Sequence, residues 1–171
     1  MKIDKEKYKF RSYDPKFKKL FAVEKKRLEK ILDFPALIEH FGSTSVPGLG
    51  GKGIIDIIIS VPKGKLIKSK KILEKNDYKF SETGGDEERF FFAKKYQYGG
   101  KTRRVHLHLT FRNSRGHEQA IMVRDLLIND LQVRKDYVKL KKEACKLCHG
   151  DGKIYRDYKN PFLWDLVKGK K

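Results

Sequence analysis

The sequence predicts an α+β (α/β) domain, a small mixed β-sheet of four to five strands flanked by helices. Three observations lead there. Ile54 to Val61 is an almost unbroken β-branched apolar run, as expected of a strand buried on both faces. Arg89 to Tyr96 and Arg103 to Phe111 are β-rich runs around Tyr98-Gly99-Gly100-Lys101, which signals a hairpin. Apolar stripes at helical spacing lie on both sides of these strands and place helices against the sheet. The 171 residues fit one domain with a real core. No repeat or low-complexity linker divides them, so a single domain over residues 1–171 is expected, with 168–171 as a disordered tail.

Asp14-Pro15 opens the first helix, the acid as N-cap and the proline at the first helical position. Phe17, Leu20, Phe21, Leu28, Ile31 and Leu32 form its apolar stripe, and Pro35 ends it. Ile38 to Phe41 is a short strand broken by Gly42; Ser43 to Val46 is a tight turn or one helical turn. Pro62 ends the Ile54–Val61 strand, and Leu66 to Asn76 is a second helix. Tyr78 to Ser81 reads as a short strand and Thr83-Gly84-Gly85 as a loop. After the hairpin, helices are expected over His117–Asn129 and Val133–His149, and a short last one carries Phe162 to Val167.

The chain carries 41 Lys+Arg against 22 Asp+Glu, a net charge of +19 spread along its length. Such a field favours anionic partners: nucleotides, nucleic acid, acidic lipid or acidic proteins. Charges that are merely solvated give the same total. Met1 to Phe10 is highly charged and lacks an apolar stretch, and no segment reaches the length of a membrane span. With only two cysteines, Cys145 and Cys148, a cytoplasmic protein with no membrane partner is expected. Cys145-Lys146-Leu147-Cys148-His149 matches the short haem-attachment pattern by chance, and no haem is expected.

The chemistry concentrates around residues 39–61, EHFGSTSVPGLGGKGIIDIIISV. Gly42 lets backbone approach a ligand closely, and the hydroxyls and N–H groups of Ser43, Thr44 and Ser45 suit phosphate oxygens. An ordinary helix cap uses the same residues. Asp56 is a carboxylate inside an apolar strand, costly unless paired, hydrogen-bonded or metal-bound. Its second place in an Asp-x-Asp pair is taken by Ile58, so a two-carboxylate metal site is incomplete. On the hairpin's second strand, His106, His108 and Thr110 share one face, and Val105, Leu107, Leu109 and Phe111 share the other. With Asp56, His106 and His108 make a candidate catalytic and metal set. Lys52, Arg89 and Arg124 are candidate phosphate contacts, although each alone reads as well as a solvated charge.

The run IEHFGSTSVPGL followed by GKGIIDI resembles the signature of the GrpB family, which belongs to the nucleotidyltransferase-like superfamily. Tyr13-Asp14-Pro15 with Phe17 and Phe21, Arg104 to Leu109, Val123 to Leu127, Tyr137 to Lys141, Tyr155, and Lys159 to Phe162 resemble further family segments in order. The resemblance implies a nucleotidyltransferase-like fold with the Gly-Ser turn over one end of the sheet. It also implies Ser43 as the phosphate-side hydroxyl and Asp56 as the remaining acid of the metal site. Three functions follow as expectations. One is transfer of a nucleotidyl group from a nucleoside triphosphate with Mg2+ or Mn2+. The second is a non-catalytic pocket for a nucleotide, phosphate or coenzyme A-like ligand. The third is charge-driven nucleic-acid binding, with Arg89-Phe90-Phe91-Phe92 and Tyr96-Gln97-Tyr98 as stacking surfaces.

Overall fold

A computed structural model describes residues 3–169. In chain order the elements are α1 (Lys16–Ile31), β1 (Leu37–Phe41), a 3-10 turn (Ser43–Ser45) and β2 (Ile54–Val61). A second 3-10 turn (Lys63–Lys65) and α2 (Leu66–Lys75) precede β3 (Lys79–Asp86), β4 (Arg89–Tyr98) and β5 (Lys101–Phe111). The chain closes with α3 (Arg115–Asn129), α4 (Leu131–Leu147) and α5 (Gly152–Lys168). The five strands form one sheet in the order β1-β2-β5-β4-β3. Only β2 and β5 run parallel; the other neighbours are antiparallel. The sheet is mixed, as the sequence predicts. No helix among the described residues is long and apolar enough to cross a membrane.

The period of the strands sorts the two faces of the sheet. Ile55, Ile57 and Ile59 of β2 and Val105, Leu107 and Leu109 of β5 point to one side and bury against Phe17, Leu20 and Leu28 of α1 and Leu73 of α2. The opposite face carries Asp56, Ile58 and Ser60 beside His106, His108 and Thr110, paired residue by residue. That polar face is the one α3 approaches. A second apolar cluster, Val46, Leu49, Leu127 and Tyr137 with Phe162 and Leu163 packed on it, ties α3, α4 and α5 to the turn after β1.

Helix starts follow the capping chemistry. The Asp14 carboxylate accepts the Lys16 N–H at 2.9 Å, Ser114 accepts from His117, Asp130 from Val133, and Asp151 from Lys153 and Ile154.

Two expectations are corrected. Residues Thr83-Gly84-Gly85 are not a loop; they continue β3, whose register shifts between Ser81 and Asp86. A Cβ on Gly84 would stand 2.5 Å from the Phe91 ring and one on Gly85 2.0 Å from the Arg89 carbonyl. The glycines are there because β3 lies too close to its partner β4 at this irregular stretch to admit a side chain, a role their turn propensity conceals. The last helix is also much longer than expected, 17 residues with Pro161 inside it. Packing of Tyr155, Phe162 and Leu163 outweighs the local cost of a helical proline, about 3 kcal/mol. At the expected tail, Lys168 ends this helix and Gly169 caps it; residues 170 and 171 lie outside the described residues.

Candidate functional site

The site lies where the turn after β1 folds over the polar face of the sheet. Gly42 has φ +69°, and a Cβ there would stand 2.6 Å from Asp56 Oδ2. Only glycine lets the 43–45 turn sit directly on that carboxylate. The other carboxylate oxygen, Oδ1, faces His106 Nδ1 at 3.3 Å, because Asp56 and His106 are register partners on the parallel β2–β5 pair. Burial alone would lift the Asp56 carboxyl. The His106 hydrogen bond and the charges of His106 and Lys52 outweigh it and hold the group below its usual range.

The three hydroxyls of the turn divide their work. Thr44 is buried; its Oγ1 donates to the Ile54 carbonyl at 3.0 Å and so accepts from His40 Nε2 at 2.9 Å. Ser45 Oγ donates to the Gly42 carbonyl at 2.7 Å. Both hold the turn in shape. Ser43 Oγ instead accepts from Lys141 Nζ at 2.9 Å and keeps its own hydrogen to donate. Of the expected phosphate hydroxyls, Ser43 alone is free for a ligand.

Lys141 comes from α4 and is almost fully buried. Its ammonium also donates to the carbonyls of Leu49 at 3.2 Å and Gly50 at 2.5 Å, and it sits over the Tyr137 ring. Burial pulls its pKa down to about 7. Lys52 lies between the rings of Tyr8 and Tyr155, 4.7 Å from each, and burial brings it to about 8 against the opposing pull of Asp56. Lys159 of α5 is likewise lowered to about 8 by burial, again with Asp56 pulling upward. All three feel the charge of the one carboxylate, Asp56. Among the described residues none of the three is in a salt bridge.

Sequence reasoning singled out Lys52 but assigned no role to Lys141 or Lys159. In a chain with 41 basic residues composition cannot mark them. The available signal was the i, i+4 spacing of Tyr137 and Lys141, which puts both on one face of α4.

Other expected contacts are engaged elsewhere. Arg124 bonds Glu39 at 3.3 Å, Asp125 at 2.7 Å and the His40 carbonyl at 3.2 Å. It belongs to a chain running from Ser60 through His117 (2.6 Å) to Glu39 (3.0 Å), which fastens α3 to the sheet. Arg89 pairs with Asp86 at 3.0 Å, at the far end of the face. The metal triad is not gathered as expected. His108 shares the face with Asp56 and His106, yet its ring packs edge-on against Phe41 and Phe91, and burial takes its pKa down to about 3. Among the described residues no three His, Cys, Asp or Glu side chains group as metal ligands. Of the expected aromatic stacking surface the Arg89–Phe92 part is not available: Phe92 is in the core, Phe90 packs against Phe80, and Phe91 covers the two histidines; Tyr96 packs on the core and Tyr98 is exposed.

A serine turn entered through Gly42 and seated on a strand aspartate, on a mixed sheet backed by helices, is a nucleotidyltransferase-like fold. The Cid1 poly(U) polymerase in its MgGTP-bound structure shares this fold, with a TM-score of 0.53 and 17% identity over 80% of this chain and 44% of that one. Residues 7–168 match the sequence model described as GrpB protein, and the chain belongs to the GrpB family. The conserved protein GrpB from Enterococcus faecalis superposes with a TM-score of 0.75 and 25% identity, over 95% of this chain and 99% of that one. A UPF0157 protein of Halalkalibacterium halodurans is 31% identical over 163 residues, 91% of this chain and 78% of the relative.

Proposed function

We propose that the turn at Ser43, over Asp56, binds a nucleoside triphosphate through its polyphosphate. The observation that supports this reading is a pair of enclosed cations: Lys141 Nζ lies 2.9 Å from Ser43 Oγ and Lys52 lies between the Tyr8 and Tyr155 rings, and among the described residues neither is in a salt bridge. Buried ammonium groups without carboxylate partners are costly unless an anion joins them. Polyphosphate supplies that anion, with Ser43 Oγ donating to one of its oxygens.

The donor set fits one divalent ion, Mg2+ or Mn2+, shared between Asp56 and the ligand's own phosphates. It does not fit a two-ion site, because Ile58 holds the second carboxylate position. Such an ion would neutralise phosphate charge. A second reading, nucleotidyl transfer, draws on the Asp56–His106 pair, which can accept the proton of an acceptor hydroxyl beside the phosphates. The free thiols of Cys145 and Cys148 suit a reducing cytoplasm.

Melting curves with ATP test the pocket. Stabilisation is expected to persist in EDTA and to vanish in Lys52→Met, since the lysines rather than a metal carry the affinity. No shift with ATP, GTP, CTP or UTP, with or without Mg2+, refutes it. Asp56→Asn separates the two readings. For a pocket that only binds, it removes a like charge and tightens ATP in EDTA. For transfer, it abolishes turnover of labelled nucleotide.

A further inference from the structure

Four residues beyond His106 along β5, roughly 13 Å at strand rise, the same sheet face opens into a second cleft of about 360 Å³. Thr110 and Arg89 come from the sheet, Arg115 and Gln119 from α3, Trp164 and Lys168 from α5. Three features set it apart from ordinary surface. Trp164, the chain's sole tryptophan, is 59% exposed and lines the cleft. Arg89 Nε is buried without a hydrogen-bond partner among the described residues, although the tip of the same guanidinium pairs with Asp86. Arg115 has no salt bridge among the described residues.

Asp86 and Glu88 also line the cleft, Asp86 already paired with Arg89; an open indole beside guanidinium groups suits a flat aromatic ring that carries phosphate. We propose that this cleft is a nucleobase-phosphate subsite, in which Trp164 stacks on a base while Arg89 and Arg115 hold its phosphate. The ligand is a single-stranded oligonucleotide or its mononucleotide unit. Its identity rests on the nucleotide reading of the Ser43 pocket; its position rests on the cleft's own geometry. The Thr110 hydroxyl donates to the Glu88 carbonyl at 2.9 Å and meets Ser114 at 2.9 Å, so it is part of the floor and takes no part in recognition.

The sole tryptophan makes the test direct. Trp164 emission is followed while the full chain is titrated with AMP and, separately, with oligodeoxyadenylate at low salt. Quenching by both assigns the mononucleotide unit as the ligand; quenching by the oligonucleotide alone assigns the strand. Anisotropy of labelled oligodeoxyadenylate should then show Trp164→Ala binding roughly tenfold or more weakly, with Trp164→Phe retaining most of the affinity. Arg115→Gln should weaken binding and flatten its salt dependence. No quenching by either probe at millimolar concentration, or undiminished binding by Trp164→Ala, overturns the proposal. An ATP-induced melting shift kept in Trp164→Ala while that variant binds the strand as tightly as wild type sinks this subsite and spares the Ser43 pocket. Trp164-dependent binding without any ATP shift does the reverse.

Discussion

Replacing Lys141 with methionine should remove a specific slope from the protein's stability-versus-pH curve. In the unfolded chain a lysine keeps its proton to about 10.5, whereas in the folded protein Lys141 releases it near pH 7. Above pH 7 the unfolded state binds more protons, so stability rises with pH and is lost again as pH falls toward 7. Between pH 7 and 9 one such group contributes about 2 kcal/mol, at ~1.4 kcal/mol per unit of full difference. Lys52 and Lys159 add to the same rise at slightly higher pH. Urea unfolding at pH 7, 8 and 9 measures it. Wild type should gain stability across the window, and Lys141→Met should gain about 2 kcal/mol less. The variant also strands the carbonyls of Leu49 and Gly50, about 1–3 kcal/mol each, so the slope and not the absolute stability is the readout. Equal slopes in the two proteins would refute the burial argument.

Three further outcomes follow from the geometry. Gly42→Ala places a methyl on Asp56 Oδ2 at a positive φ; it should lower stability by about 1–3 kcal/mol in chemical denaturation and abolish the ATP-induced melting shift. His40 is lowered by burial to about 4, so the unfolded state takes up a proton first as pH falls below 6.5, and stability declines between pH 6.5 and 4. His40→Asn should make that part of the curve shallower, His108 supplying the remaining slope, and an unchanged acid limb would contradict it. Arg124→Gln removes the guanidinium partner of Glu39 and Asp125. It should destabilise the fold by about 1–3 kcal/mol with unaltered ATP affinity; weakened ATP binding at equal stability would return Arg124 to the pocket.

Much of this molecule was readable one residue at a time. The isoleucine run of β2, the alternation along β5 and the glycine pair of the hairpin each express a local period or turn preference, and they set the sheet. Gly42, Ser43 and Asp56 were legible because they sit within fifteen residues of one another, on a strand, a turn and a strand that must be neighbours. The longer reaches of the chain were not. Lys141 and Lys159 arrive on α4 and α5 from far along the sequence, indistinguishable in type from the solvated lysines until packing buries Lys141 and half-buries Lys159. Tertiary packing also decided against two local readings: it keeps the helix intact through Pro161 and uses Gly84 and Gly85 for close approach of β3 to β4. It likewise diverts Arg124 to Glu39 and wraps His108 in phenyl rings. Local sequence determines which backbone path is cheap; which side chains lose water, and so change their charge and their partners, is decided only when distant segments close over them.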